Sequence, residues 1–105
     1  MNNSLKLDSE GFLKNLSDWS PETADTLAKN EGINLTAPHW EVIHLVREFY
    51  QCFDHGPAMR PLVKLTAKKL GADKGHSIYL LKLFPGSPAK LASKIAGLPK
   101  PPNCL

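Results

Sequence analysis

Apolar positions along the chain recur at helical spacing in five blocks, each set off by proline or glycine. Ser20 followed by Pro21 marks the first helix start, with a hydroxyl to cap and proline at the first helical position. That helix carries Ala24, Leu27 and Ala28 and stops at Gly32. Thr36, with Pro38 in the first turn, opens the longest helix, whose Trp40, Ile43, Val46, Tyr50 and Phe53 recur up to Gly56. Its length and apolar stripe make it the expected centre of the core.

Pro57 and Pro61 bracket the start of a third helix with Leu62, Val63, Leu65 and Leu70, ending at Gly71. A fourth is predicted from about Asp73 to Phe84, where Pro85-Gly86 breaks it. Ser87-Pro88 starts a short fifth helix with Leu91 and Ile95, closed by Gly97. Before all of these, Leu5-Lys6-Leu7 and Gly11-Phe12-Leu13 flank Asp8-Ser9-Glu10 and read as a small β-hairpin. The expected fold is mostly α (α+β): a compact bundle of about five helices, a small N-terminal β-hairpin and an extended C-terminal arm. Residues 1–97 form the domain and residues 98–105 the mobile arm.

That arm, Leu98-Pro99-Lys100-Pro101-Pro102-Asn103-Cys104-Leu105, cannot be helical, because three prolines lack the N–H and oppose helical dihedrals. An extended, polyproline-like segment from Leu98 to Cys104 reaches about 19 Å at ~3.1 Å per residue. A thiol at its tip can enter a pocket on another protein. Lys90, Lys94 and Lys100 are placed to stabilise its thiolate, the form that attacks sulfur. A terminal cysteine can equally be a frayed end without a role.

Charge sharpens this picture. Residues 1–54 hold four Lys/Arg against nine Asp/Glu, while residues 55–105 hold nine against one, Asp73. The second half is therefore built to meet something negative: a nucleic acid, an acidic protein face or a thiolate. A single domain is expected at 105 residues, and no apolar run approaches the ~18 residues of a membrane span. The N-terminus lacks the basic-then-apolar pattern of a signal peptide, and two cysteines without it point to a reducing cytoplasm.

The remaining candidates are plainer. Cys52, between Tyr50 and Phe53 on the long helix, reads as a small buried hydrophobe, and a Cys52–Cys104 disulfide is disfavoured in a reducing compartment. Cys52 and His55 could share a helix face, but no second ligand pair accompanies them, so no metal site is expected. His39 reads as a surface or capping residue, and Trp19 and Trp40 as packing anchors. A rival reading joins helices three and four into a helix-turn-helix with Lys68, Lys69, Lys74 and His76 facing phosphates. It finds no base-reading cluster on the second helix and leaves the arm unexplained.

More specific are the blocks Leu83-Phe84-Pro85-Gly86-Ser87-Pro88-Ala89-Lys90 and Lys94-Ile95-Ala96-Gly97-Leu98-Pro99-Lys100-Pro101, followed by Cys104. With Asn30-Glu31-Gly32-Ile33, His39-Trp40-Glu41-Val42-Ile43 and Pro57-Ala58-Met59-Arg60-Pro61-Leu62-Val63-Lys64, they resemble the TusE/DsrC family, which includes the gamma subunit of dissimilatory sulfite reductase. The resemblance runs from Asp8 to the end. DsrC-type members carry a second arm cysteine eleven residues before the last, where this chain has Ser93. The single thiol resembles the TusE branch. Family members carry a further strand before the hairpin, for which Met1–Ser4 is too short, leaving a three-stranded meander in doubt.

The resemblance implies a sulfurtransferase that carries sulfur as a persulfide on Cys104. The implied donor is a TusBCD-like complex and the implied acceptor an MnmA-like tRNA thiolase that 2-thiolates wobble uridine. It implies no cofactor, no small-molecule ligand, and contact with tRNA only through that acceptor. Arg60 and Lys64, in a family block of the basic half, are implied to place the arm. The alternative within the family is a DsrC-like partner subunit in sulfite reduction or sulfur oxidation, against which Ser93 argues.

Overall fold

The computed structural model describes residues 5–102. Five α-helices follow one another: α1 Pro21–Asn30, α2 Ala37–Phe53, α3 Met59–Leu70, α4 Ser77–Leu83 and α5 Pro88–Ile95. The starts obey local chemistry. Ser20 Oγ accepts the Thr23 N–H at 3.2 Å beside Pro21, as the sequence predicts. At α2, Thr36 and His39 close a reciprocal box with histidine in place of the usual glutamate. His39 Nδ1 accepts the Thr36 N–H at 3.1 Å, and its Nε2–H donates to the Leu83 carbonyl at 2.8 Å. One capping side chain thus joins the start of α2 to the end of α4.

The ends of α1 and α5 are the same motif. Gly32 and Gly97 adopt φ of 75° and 76°. In each case the next residue reaches back five positions, Ile33 N–H to Ala28 O and Leu98 N–H to Ser93 O, both at 2.9 Å. The long helix stops three residues before the expected Gly56, because Asp54 takes the left-handed conformation at φ 64°.

Two expectations change. The fourth helix begins at Ser77, not near Asp73, and a 3₁₀ turn at Ala72–Lys74 precedes it. Gly75 crosses α3 at backbone distance, where any Cβ would lie 2.6 Å from Ala67 Cα, and this crossing interrupts the helix. The N-terminal hairpin appears only as one antiparallel bridge, Leu7 with Leu13, and there is no β-sheet among the described residues. Asp8 organises its turn: Oδ1 accepts the N–H groups of Glu10 at 2.9 Å and Phe12 at 3.0 Å. Phe12 and Leu13 then point into the body and are buried. Met1–Ser4, expected to be too short for a further strand, fall outside the described residues.

The core is centred on the short α5, not on α2. Every other α-helix packs against α5, and six of its eight residues are buried. Ala89, Ala92, Ser93 and Ala96 are small enough to let neighbours approach on several sides. Phe84, Leu27, Ile43, Leu62 and Leu80 fill the space around it, each 1% exposed or less. Phe84 also meets the edge of His39 with centroids 5.2 Å apart. No described helix is long and apolar enough to cross a membrane.

Phe84→Ala is expected to cost about 3–5 kcal/mol, since it opens a cavity in the core and removes the contact to His39. Urea unfolding checks this, and a loss under about 1 kcal/mol would place Phe84 outside the cooperative core. Asp8 offers a second check. The Phe12 amide bond leads the effects that hold its carboxyl below the usual carboxylate range. A depressed value stabilises the turn above the ordinary Asp pKa and is lost as pH falls through the lower, folded value. Carboxyl NMR titration should give an Asp8 midpoint below an ordinary Asp, with the Phe12 amide shift following it.

Candidate functional site

The site is the junction of α5 with the arm. Past Ile95 the chain turns out of the helix, and its last carbonyls meet side chains from elsewhere. The Trp19 indole N–H donates to Ile95 O at 2.9 Å, and Arg47 Nη1 donates to Ala96 O at 2.6 Å. The Arg47 guanidinium lies 3.8 Å above the Trp19 ring. Gly97 turns so close under Trp19 that a Cβ would sit 2.8 Å from the indole Cγ. Only glycine fits there, for both space and φ. Burial pulls the Arg47 guanidinium below its usual pKa, yet it stays charged at any working pH.

From this clamp the arm runs along the body. Leu98 is 2% exposed and belongs to the core cluster. With Leu16, Arg47, Tyr50 and Gln51 it lines a cavity of about 180 Å³. Lys100 Nζ reaches Glu10 at 3.2 Å, and Pro101 is buried again. Gly56 explains the second seat: a Cβ there would lie 2.8 Å from Ser93 Oγ and 3.7 Å from Pro101 Cγ. The expected extended boom therefore has a docked first half, because the apolar side chains of Leu98 and Pro101 are buried against the body. Cys104, the expected reactive thiol, lies outside the described residues.

The basic residues do not act as one group. Lys94 is 7% exposed and turned inward, with Nζ 3.1 Å from Glu31 and 5.1 Å above the Phe12 ring. It ties α5 to the end of α1 and to the N-terminal turn through a structural ion pair. Burial compels this, because a lysine in the core needs a carboxylate partner. Lys100 is partly engaged by Glu10, an exposed pair of small energetic weight. Lys90 is half-buried, and Arg60 and Lys64 are exposed on α3; none makes an ion pair among the described residues. Arg60 stands in the first turn of α3, four residues from the Gly56 seat.

Cys52 corrects another expectation: it is exposed, not buried. The buried stripe of α2 runs through Val42, Ile43, Leu45 and Val46, and Cys52 lies beyond it in the last turn. Sequence reading missed Arg47 and Gly56. The signal for Arg47 was a cation on the apolar face of α2, four residues after Ile43 and three before Tyr50, a position that demands an acceptor. Gly56 carried no such signal, since its neighbours Ser93 and Pro101 are distant in sequence.

A small helical body that clamps the root of its own C-terminal segment is the class of protein this geometry defines. The chain belongs to the DsrC-like protein family, whose profile matches residues 1–105. It is 58% identical over 101 residues to a protein of Yersinia pseudotuberculosis named Sulfurtransferase TusE, covering 96% of this chain and 94% of that one. A Photorhabdus laumondii protein of the same name is 56% identical, with 96% and 91% covered. The solution structure of Allochromatium vinosum DsrC superposes with a TM-score of 0.87 at 48% identity, covering 96% of this chain and 90% of that one. The oxidized gamma subunit of dissimilatory sulfite reductase from Archaeoglobus fulgidus gives 0.84 at 40%, with 96% and 92% covered.

Trp19→Phe keeps the ring and removes the indole N–H, leaving the Ile95 carbonyl short of a partner at a cost of about 1–3 kcal/mol. Arg47→Met does the same at Ala96. Hydrogen exchange at Gly97 and Leu98 should accelerate in both variants more than at Leu27 in α1. Uniform acceleration across the molecule would mean that neither side chain acts locally on the arm.

Proposed function

We propose that this protein is a sulfur carrier of a relay, holding sulfane sulfur as a persulfide on Cys104. The observation that carries the reading is the match to the DsrC-like family through residue 105, together with relatives named Sulfurtransferase TusE at 55–58% identity. The clamp at Ile95 and Ala96 supports it, because it fixes the root of the segment that leads to Cys104. From Pro101, three residues carry the chain to Cys104, a span of up to about 10 Å.

In the proposed cycle the Cys104 thiolate attacks the outer sulfur of a donor persulfide. A new S–S bond forms on Cys104, the donor's S–S bond breaks, and the donor cysteine leaves as a thiolate. In the second step an acceptor thiolate attacks the outer sulfur and Cys104 leaves as a thiolate. No net electrons enter or leave, so the two thiolates exchange one sulfur atom. We propose a TusBCD-like complex as donor and an MnmA-like tRNA thiolase as acceptor, in the cytoplasm, with wobble uridine as the sink. Ser93 supports a one-thiol carrier over a two-thiol subunit of sulfite reduction, since a buried hydroxyl cannot resolve a persulfide. The nucleic-acid reading is weakened by Lys74, which is paired with Glu41 at 3.3 Å.

Incubation with polysulfide should add one sulfur atom to the C-terminal peptide, removable by reductant, as read by intact and peptide mass. Cys104→Ser should abolish that gain with little change in thermal stability. Cys52→Ser, at an exposed position, should change neither loading nor stability by more than about 0.5 kcal/mol. Loss of loading in a folded Cys52 variant would overturn the assignment.

A further inference from the structure

Phe49, Phe53 and Leu65, on the face formed by α2 and α3, lie apart from the seats of Leu98 and Pro101, the arm residues that dock among those described. Leu45, Phe49 and Phe53 of α2 and Leu65 of α3 line a groove of about 350 Å³, with Lys68 and Lys69 along one side. Phe53 is 59% exposed, although its ring packs on Phe49 with centroids 4.6 Å apart. Such a volume accepts one or two large apolar side chains.

The charge beside it is one-sided. Met59–Leu70 contains Arg60, Lys64, Lys68 and Lys69 and no acidic residue. Lys64 and Lys68 are one helical turn apart and share a face. Lys64, Lys68 and Lys69 are exposed, and none forms an ion pair among the described residues. Lys29, Lys74, Lys94 and Lys100 all have carboxylate partners. Cations left open beside an open apolar groove complement carboxylates that flank an apolar anchor.

We propose that this groove docks an acidic segment of a partner protein, which seats a leucine or aromatic side chain between Phe49, Phe53 and Leu65 while its carboxylates meet Lys64, Lys68 and Lys69. The partner is taken to be one that exchanges sulfur with Cys104, which rests on the function proposed above. A nucleic acid fits less well. Its backbone has no large apolar side chain for Leu45, Phe49 and Leu65, and Glu48 in the lining, which repels any anion, restricts the partner's carboxylates to the Lys68 and Lys69 side. The two docking elements divide the labour: the groove supplies association and the arm supplies the reacting sulfur.

The test titrates the full-length ¹⁵N-labelled protein with three probes. They are a synthetic amphipathic helical peptide with leucine and phenylalanine on one face and glutamate on the rest, its lysine counterpart, and an unmodified tRNA transcript. The acidic peptide should shift the amides of Phe49, Cys52, Phe53, Leu65 and Lys68, with binding that weakens as salt rises. Phe53→Ala, and separately the double variant Lys64→Glu with Lys68→Glu, should each weaken it roughly tenfold or more. Both sites are exposed, so the variants should fold. Absence of groove shifts with the acidic peptide, equal binding of the lysine peptide, or tighter binding of tRNA at the same residues would overturn the proposal. Polysulfide loading of Cys104 in the same samples keeps the two ideas apart. Failure of the wild type to load would sink the carrier reading, while the groove stands or falls on the titration alone.

Discussion

The close approach of Gly97 to Trp19 is the constraint on which the rest of this structure depends. A helix normally leaves its last carbonyls to water or to a local motif. Here the local motif satisfies Ser93 O and Lys94 O through the Leu98 and Gly97 amides, while Ile95 O and Ala96 O receive donors from residues 76 and 49 positions away. The two donors are themselves stacked, Arg47 over Trp19. The end of α5 is consequently fixed by the N-terminal segment and by α2 at once. Moving either element would strand a carbonyl, so the direction of the arm is a property of the whole body.

That arrangement also explains why a helix as short as α5 makes the centre. A helix surrounded by neighbours must have small side chains, or those neighbours could not come close on several sides. Ala89, Ala92, Ser93 and Ala96 meet that demand, and the larger apolar residues come from the surrounding helices. Lys94 extends the logic. Its charge, drawn into a crowded interior by its place on α5, is matched by Glu31 at the end of α1, whose glycine motif repeats that of α5. Lys94 thereby joins two helix ends.

Five helices were legible because their starts and stops are written locally: Ser20-Pro21, Thr36 with His39, Gly32 and Gly97 each act within a few residues. The prolines after Gly97 rightly excluded a helix there, but not the docking of Leu98 and Pro101 on the body. What escaped depends on contacts between distant residues. Gly75 breaks the fourth helix only because α3 passes beneath it, and Gly56 matters only because Ser93 and Pro101 converge on it. Cys52 misled for a related reason. Helical spacing places it near the apolar stripe, but the stripe is buried only as far as neighbours cover it, and the last turn of α2 is uncovered.

The charge division takes on a different meaning once partners are assigned in space. Lys94 and Lys100 of the basic half pair with Glu31 and Glu10 of the acidic half, and Lys74 with Glu41, so part of the asymmetry is internal and holds the chain's two halves together. Of the six cations of the basic half left without a carboxylate among the described residues, four, Arg60, Lys64, Lys68 and Lys69, lie on α3, a helix that buries only Leu62 and Thr66 fully and carries no acid to quiet them. Like charges one turn apart weaken an isolated helix slightly, so nothing in the stability of α3 calls for them. Their concentration on the one helix that flanks both the Gly56 seat and the Phe53 groove is what a carrier needs if it must hold an arm and meet a partner along the same edge.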